Sequence, residues 1–540
     1  MTTASPAPFP NGGLRQLSAK EQLQRLKALS CSVPQDNKPK CSGQVFAGIF
    51  FDGTGNNMQV DYYDQPAEKR KHSNVVKLFQ THRDNPSDGY IRIYVPGVGT
   101  PFPEIGDGGG ALGSANSFRG EDRIIWGLLQ LINAPHRFVT KNPLIPNAQA
   151  DTIVGNVASS FTPPSLRRLV LRTWQEKLAA ALEGKKPRVE QINVSVFGFS
   201  RGAAEARVFV NWLFEVCEQK NGGWTLAGIP LRVMFLGIWD TVASVGLPSL
   251  LDGLPWEGHQ SWADQALQIH PAVEQCLHFV AGHEVRACFP LDSACVKSKY
   301  PANVREVLYP GAHSDVGGGY APGALGVSHQ QNDFLAIIPG VRMYHEARKA
   351  GVPLEPFARL DRYLQQSLTP SDSVVRSFNA YLADAKVGNS SVDDMHRRHM
   401  SLYFSHRFKQ RHKFFSRNPY NAAAPNDQRF LKTTQNSFIE RLAHLSQGDP
   451  MDPDFDAKRA AALHKAMLKA AGLSRTTADK YLHEVAERVD PASVTPAMEE
   501  FFDRYIHDSM AGFISQKMNE YALNGIGITK FREVYKGNDE

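Results

Sequence analysis

A serine in the segment GFSRG, residues 198–202, has the surroundings that a catalytic nucleophile requires. A free serine hydroxyl is a weak nucleophile at neutral pH, so it needs a base, a group that orients the base, and donors for the oxyanion. The pattern GxSxG places the serine on a strained turn between a strand and a helix, where the glycines allow close backbone approach. An apolar run at 191–197 precedes the turn, and the helix-forming AAEAR follows it. We therefore predict that Ser200 is a nucleophile supported by Gly198 and Gly202, and not merely a helix cap.

Two downstream residues satisfy the positions expected of an acid and a base, because each follows a predicted strand. When the nucleophile is of the GxSxG type, its acid and histidine come later in the chain. Asp240 ends the apolar strand 231–239, with a helix cap or turn carboxylate as its alternative role. His313 lies in a Gly/Pro-rich loop after a strand at about 303–308, with an exposed loop histidine as the alternative. The order predicts a catalytic triad of Ser200, Asp240 and His313.

Three other side chains compete for these roles. His278 and His283 lie between Pro271 and Cys288, a segment that we predict to be a helix, so packing or hydrogen bonding is their expected role. Asp315 is only two residues from His313, which favours orienting this loop over serving as the triad acid.

Two loops are expected to supply backbone N–H groups to the oxyanion. One donor is Arg201, directly after the nucleophile. The other is Gly53 or Thr54 in the loop DGTGNN, whose glycines let the backbone turn its N–H groups inward, although a plain tight turn is the alternative. Asp52 is expected to hold the shape of this loop or to bind an ion if one is present. A nucleotide site is disfavoured because the loop lacks both GxxxxGK[ST] and GxGxxG.

The elements that must position these residues alternate between strand and helix from 44 to 320, which predicts an α/β fold with a mainly parallel sheet. Beyond about 330 the pattern is helical. We predict an N-terminal arm at 1–43, a catalytic core at 44–328 and a mostly helical module at 329–540 that contacts membrane or a partner. The predicted strands are 44–51, 90–95, 191–197, 231–239, 303–308 and 527–535, and the predicted helices are 73–79, 121–134, 164–183, 203–217, 271–288, 331–350, 372–385, 428–446, 455–472, 475–488 and 495–521.

Two further segments leave alternatives open. Residues 96–120 are rich in glycine and are either a lid over the cleft or a linker. Residues 395–417 combine aromatic and basic side chains without an acidic residue, which suits either an anionic lipid interface or a core helix with a solvated basic face.

Composition excludes several classes of function. The net charge of +6 over 540 residues is mild, so we expect no nucleic-acid partner. The six cysteines form no CxxC pair and no metal-ligand spacing such as HExxH occurs, so we expect no metal and no other cofactor. The sequence has neither a secretory signal pattern nor an apolar run of membrane-spanning length. We expect synthesis in the cytoplasm and, where the protein leaves the cell, a route that needs no cleaved signal.

Six ordered motifs are similar to those of one family: FFDGTGNN, HSNVVKLF, YVPGVGT, GFSRGAAEAR, GIWDTVASVG and YPGAHSDVGGGY. The sequence resembles the type VI secretion lipase effectors of the first family over about residues 44–345. The resemblance implies an α/β-hydrolase fold with an added module that contacts membrane. It also implies a nucleophile, acid and base at Ser200, Asp240 and His313.

The same resemblance implies an activity and a route. The activity is hydrolysis of phospholipid acyl esters, of type A1 or A2, with calcium dependence left open. Delivery would run through a VgrG-type spike protein into the periplasm of a rival bacterium, and a cognate immunity protein would protect the producer. Two alternatives remain: a cytosolic carboxylesterase or acyltransferase that acts on a soluble ester, and a non-enzymatic binding module with a hydrolase-like fold.

Overall fold

Six parallel strands form the centre of an eight-stranded sheet in the order β2-β1-β3-β6-β7-β9, and the antiparallel hairpin β4-β5 adds to the start of β6. The computed structural model describes residues 2–13, 15–31, 41–110, 119–158, 163–220, 222–243, 267–286, 289–445, 448–513 and 528–536. The strands are β1 (Ser42–Phe51), β2 (Tyr90–Val95), β3 (Arg188–Phe199), β4 (Glu218–Lys220), β5 (Gly223–Leu226), β6 (Ile229–Trp239), β7 (Cys276–Ala281), β8 (Leu291–Asp292), β9 (Val304–Tyr309) and β10 (Val534–Tyr535). A separate pair joins β8 to β10.

The helices cover both faces of the sheet and continue beyond it. They are α1 (Ala19–Ser30), α2 (Asn74–Thr81), α3 (Gly120–Thr140), α4 (Asn147–Val157), α5 (Pro164–Leu182), α6 (Arg201–Val216), α7 (His313–Gly317), α8 (Ile337–Lys349), α9 (Arg362–Ser367), α10 (Asp372–Ala385), α11 (Val392–Lys409), α12 (Asn418–Ala422), α13 (Pro425–Ala443), α14 (Ala457–Ala470), α15 (Thr477–Ala486) and α16 (Pro496–Tyr505). Among the described residues, no helix has the length and apolar character needed to cross a bilayer.

Strand β1 shows why the sheet must be covered on both sides. Its side chains point alternately to opposite faces. The odd-numbered residues from Val45 to Phe51 pack with α3 and α6, whereas Phe46 and Phe50 pack with α2 and α8. All of these side chains are buried, as expected for a parallel strand between two layers of helices. The α/β fold with a mainly parallel sheet is thus confirmed.

One predicted helix is wrong, and it lies in the centre of the sheet. The segment 271–288 contains the strand β7, which pairs with β6 and β9, while Cys288 lies outside the described residues. Every residue of β7 is buried, and a short apolar run of this kind cannot be told from a buried helix by periodicity. The helix predicted at 495–521 ends at Tyr505.

The helical C-terminal part shares a core with the sheet. Phe279 of β7 belongs to the same apolar cluster as Phe378, Phe404 and Phe502, which come from α10, α11 and α16. The domain boundaries at 43 and 328 stay a prediction.

Most of the basic and aromatic segment 395–417 forms helix α11, and most side chains of this helix are buried. His396, His399, Phe404 and Phe408 are all buried. The exposed Arg398 pairs with Asp394 one helical turn earlier. This helix is a core element with a solvated basic edge and not a lipid-facing surface.

Candidate active site

The candidate catalytic residues follow neighbouring parallel strands, whose carboxyl ends meet at one edge of the sheet. Phe199 at the end of β3 pairs with Trp239 at the end of β6. Ser200 and Asp240 are therefore the first residues beyond paired strand ends. His313 follows β9, two strands beyond β6 in the sheet, and begins the short helix α7.

The backbone at Ser200 has the strained geometry of a nucleophile turn. Its φ is 59°, a value that residues with a Cβ rarely adopt. The turn is held because Ser200 N donates to Trp239 O at 3.0 Å and Ser200 O accepts from Ala203 N at 3.0 Å. A Cβ at Gly202 would lie 2.5 Å from Phe51 O, and the Asp52 carbonyl oxygen is closer still, so only glycine fits where β1 meets the turn. Strained backbone conformations that the surrounding structure holds in place cluster at functional sites.

Asp240 and His313 form a buried hydrogen-bonded pair. His313 Nδ1 donates to Asp240 Oδ2 at 2.5 Å, which leaves Nε2 as the basic nitrogen. Both residues are at least nine-tenths buried. The His313 ring packs on the ring of Phe199, the residue before Ser200, with centroids 4.6 Å apart. In the part of the chain that the structure describes, Ser200 Oγ makes no hydrogen bond to His313, and such bonds often form only when substrate binds.

Arg532, far along the chain, is an unexpected part of this site. Its Nη1 and Nη2 donate to Asp240 Oδ1 and Oδ2 at 2.8 and 2.9 Å, across 292 residues of sequence. Ala281 N also donates to Oδ1, at 2.9 Å. Burial alone would raise the pKa of Asp240, but the Arg532 guanidinium and His313 outweigh burial and hold that pKa well below its usual range. No motif around Arg532 marks it as a partner of the acid.

Glu284 is a second residue that the sequence did not reveal. Its Oε2 accepts from the backbone N of His313 at 3.0 Å, and its Oε1 accepts from Ser509 Oγ at 2.8 Å. Burial opposes ionisation, yet the neighbouring Arg286 overcomes it and lowers the pKa of Glu284 to about 2. Glu284 thus fixes the start of the histidine loop as a carboxylate.

The protonation state of His313 suits a general base. Burial lowers its pKa below the ordinary histidine value, and Asp240 only partly restores it. The imidazole is therefore neutral at neutral pH, with its proton on Nδ1 facing the carboxylate. A neutral Nε2 can accept a proton from a serine hydroxyl.

The loop after β1 lies against the turn at Ser200, where Gly202 approaches the Asp52 carbonyl oxygen. The Asp52 carboxylate accepts from Gly53 N, Ser73 Oγ and Tyr94 Oη at 2.8, 2.6 and 2.7 Å. Burial nevertheless raises the pKa of Asp52 to about 6. Because Gly53 N–H already donates to Asp52, its predicted role as an oxyanion donor is disfavoured.

Two predicted oxyanion donors remain, and they lie together. Thr54 Oγ1 accepts a hydrogen bond from Arg201 Nε, so this side chain ties the β1 loop to the residue after Ser200. The N–H groups of Thr54 and Arg201 are therefore the pair we retain as candidates.

The first part of the glycine-rich segment 96–120 is hydrogen-bonded to the loop after β1, through Gly97 and Val98. Arg123 is fully buried and donates to the carbonyl oxygens of Pro96 and Thr100 at 2.8 and 3.1 Å. It also pairs with Asp107 at 2.8 Å. Arg123 thus ties residues 96–107 to helix α3, while residues 111–118 of the segment predicted to be a lid or a linker lie outside the described residues.

The competing side chains have structural partners. Asp315 Oδ1 contacts His507 Nδ1 at 2.6 Å, and Oδ2 accepts from Ala312 N at 3.0 Å, so this carboxylate orients the histidine loop. His278 contacts Glu306 at 2.9 Å, and His283 contacts Tyr381 at 2.9 Å. Within the described ranges, no group of three or more His, Cys, Asp or Glu side chains could hold a metal ion.

Comparison with known proteins identifies the family. The family model for the catalytic domain of Tle1-like phospholipase effectors of type VI secretion matches residues 48–223 and 217–343. A crystal structure of an uncharacterized protein from Pseudomonas aeruginosa has a TM-score of 0.76 at 24% identity, covering 99% of this chain and 85% of that one, which shows a shared fold. The structure of the Tle1 effector bound to the VgrG spike from the type 6 secretion system has a TM-score of 0.28 at 21% identity, covering 58% of this chain and 57% of that one, too low to establish a likeness. No curated protein matches the sequence. Because the family match spans more than half of the chain, this protein belongs to the Tle1-like phospholipase effectors of type VI secretion.

Proposed function

We propose that this protein is a serine phospholipase A that hydrolyses an acyl ester of membrane glycerophospholipids. The observation that carries the proposal is the buried Asp240–His313 pair beside the strained turn of Ser200. Membership of a phospholipase family gives the substrate class.

The reaction follows from the positions of these groups. Ser200 Oγ attacks the acyl carbonyl while His313 Nε2 takes the hydroxyl proton, and Asp240 stabilises the imidazolium that forms. The N–H groups of Arg201 and Thr54 hold the oxyanion of the tetrahedral intermediate. Collapse breaks the ester bond, and His313 returns its proton to the departing lysophospholipid alkoxide. Water then attacks the acyl-serine with His313 again as base, which releases the fatty acid and restores Ser200.

An aromatic rim beside the base supports a lipid substrate. Phe289 packs on the ring of His313 with centroids 5.8 Å apart, and Phe513 packs on Phe289 at 5.2 Å. The Arg286 guanidinium lies 4.0 Å from the Phe289 ring centroid, and Phe513 is 39% exposed. Aromatic rings with an arginine are suited to the boundary between acyl chains and phosphate headgroups.

Delivery is proposed from family membership. A type VI effector that cleaves membrane lipids would be carried by a VgrG-type spike protein to the periplasm of target bacteria. A producing cell would then require a cognate immunity protein. Co-purification of the chain with a spike protein encoded beside it tests the first of these partners.

Fatty-acid release from phospholipids with different acyl chains at the two glycerol positions tests the chemistry. We expect release that is lost in Ser200→Ala, and the released chain assigns type A1 or A2. A fluorophosphonate probe should label the parent protein and leave Ser200→Ala unlabelled. Retained hydrolysis in Ser200→Ala would refute the nucleophile, whereas cleavage restricted to short soluble esters would favour an esterase.

A further inference from the structure

A narrow pocket lies between two of the six motifs of the sequence, next to the histidine loop. His72 and Lys77 come from HSNVVKLF, and Ser314, Gly318 and Gly319 come from YPGAHSDVGGGY. The proposed mechanism uses neither His72 nor Lys77. The remaining lining residues are Arg70, Lys71, Asp315, Tyr320, Gln331, Phe334 and Ala336.

Lys77, on helix α2, is the unusual member of this pocket. Its side chain is only 5% exposed, and no hydrogen bond or ion pair to it is found within the part of the chain that the structure describes. Burial lowers the pKa of Lys77 to about 8, and no neighbouring carboxylate opposes this shift. Lysine is rarely buried without a partner, because removing an ammonium from water is costly unless an anion compensates it.

The surroundings of Lys77 are also short of negative charge. His72 is 5% exposed, and neither of its ring nitrogens has a hydrogen-bond partner among the described residues. Arg70 lies over the ring of Tyr62, with its guanidinium carbon 4.0 Å from the centroid, and the half-exposed Lys71 pairs with Asp61 at 3.5 Å, so that Asp61, which does not line the pocket, already has a partner. The one carboxylate in the lining, Asp315, already accepts from His507 and Ala312.

We propose that this pocket binds a phosphate group, with Lys77 as its principal ligand. A phosphate would compensate the unpaired ammonium and accept further hydrogen bonds from Arg70 or His72. Ser314 and Gly318 place the pocket within one turn of His313, so the phosphate of a lipid headgroup held here would lie near the scissile ester. This headgroup role rests on the proposed phospholipase activity, whereas phosphate binding itself does not.

A pair of substrates separates a headgroup ligand from a structural role. Phospholipid and diacylglycerol with the same acyl chains, each dispersed in micelles of the same detergent, present the same esters with and without the phosphate. Loss of a charge-assisted contact predicts that Lys77→Met lowers kcat/KM for the phospholipid by about 10- to 100-fold and leaves the diacylglycerol rate nearly unchanged. Lys69→Met is the matched control, because Lys69 is exposed, lies close in sequence and does not line the pocket.

Inorganic phosphate provides a test that does not depend on catalysis. We expect phosphate to raise the Tm of the parent protein relative to chloride at equal ionic strength, and to leave the Tm of Lys77→Met unchanged. Without phosphate, Lys77→Met should be at least as stable as the parent, because it removes a buried charge that has no partner among the described residues.

The outcomes separate the two proposals. A phosphate-dependent Tm shift with an unchanged ratio of phospholipid to diacylglycerol cleavage would support the phosphate site and overturn its headgroup role. Equal losses on both substrates without a Tm shift would overturn the site altogether. The Tm measurement does not depend on Ser200, so loss of the phosphate-dependent Tm shift would overturn the phosphate site and leave the proposed hydrolase untouched.

Discussion

The replacement Arg532→Met tests whether the charge of Arg532 keeps Asp240, the proposed catalytic acid, ionised. It removes two hydrogen bonds and the positive charge from Asp240, which is fully buried. The carboxylate keeps only His313 Nδ1 and Ala281 N as donors among those described. Methionine fills much of the same volume, so the change is mainly one of charge.

The size of the effect follows from burial. Both side chains of the Arg532–Asp240 pair are 0% exposed, and breaking such a pair from one side costs about 3–5 kcal/mol because the remaining charge is uncompensated. Arg504→Met is the matched control: Arg504 and Glu500 are 54% and 56% exposed, and such a pair contributes about 0–1 kcal/mol. We therefore expect Arg532→Met to lower the free energy of unfolding in urea by about 3–5 kcal/mol, and Arg504→Met to lower it by about 0–1 kcal/mol.

The pH dependence gives a second signature. The folded-state pKa of Asp240 lies below its unfolded value, so its stabilisation is present above the unfolded pKa and is lost as pH falls through the folded pKa. Without Arg532 the folded pKa of Asp240 rises, so acid destabilisation begins at a higher pH. The uncompensated carboxylate also raises the pKa of His313, which moves the acid limb of kcat/KM to higher pH. If Arg532→Met shows an unshifted limb and a stability loss no larger than Arg504→Met, the assigned role of Arg532 is refuted. Arg532→Lys keeps the charge but not the two-pronged contact and should lie between them.

Gly202→Ala and Glu205→Gln test two features of helix α6, which follows Ser200: its close packing against β1 and its buried carboxyl group. Gly202→Ala places a Cβ against the Asp52 and Phe51 carbonyl oxygens, so we expect a loss of about 1–3 kcal/mol in urea unfolding together with loss of hydrolysis. Gly155→Ala, in helix α4 with no atom within 4 Å of the added Cβ, should instead gain about 0.5–1 kcal/mol, and similar effects at both sites would contradict the argument. Burial raises the pKa of Glu205 from 4.5 to about 8, so this carboxyl is protonated in the folded state and ionised in the unfolded state within that window. Stability should fall as pH rises through the window, and Glu205→Gln should flatten this fall in unfolding measured across the same pH range; an unchanged slope would exclude such a shift.

The α/β fold and the edge of the sheet that holds the site were predictable from the sequence. Apolar runs that stop abruptly at Asp52, Ser200 and Asp240 mark strands that end in loops, and parallel strands bring such loops to one edge. The structure joins Asp240 to His313 in a hydrogen bond that the chain order suggested. The catalytic roles themselves stay predictions until Ser200→Ala is assayed.

Strand β7 and the role of Glu284 were not predicted from the sequence. A strand buried on both faces has no alternation to distinguish it from a buried helix, so 271–288 was assigned the wrong element. With β7 missing from the predicted sheet, Glu284 just beyond its end had no place near His313. A strand in that position would have put Glu284 at the same edge as the triad, where a buried carboxylate is a natural candidate.

The contact between Arg532 and Asp240 could not be predicted from the sequence for a different reason. Nothing in its local pattern distinguishes it from a surface arginine, and its partner is 292 residues away. The contact exists because β10 pairs with β8 and carries the segment 528–536 to the carboxyl edge of the sheet. His507 and Ser509, which follow α16, contact Asp315 in the histidine loop and Glu284, which accepts from the backbone N–H of His313. The part of the chain beyond residue 328 therefore supplies charges and hydrogen bonds to the loops that hold Asp240 and His313, and a change there is expected to alter the proposed catalysis without touching Ser200.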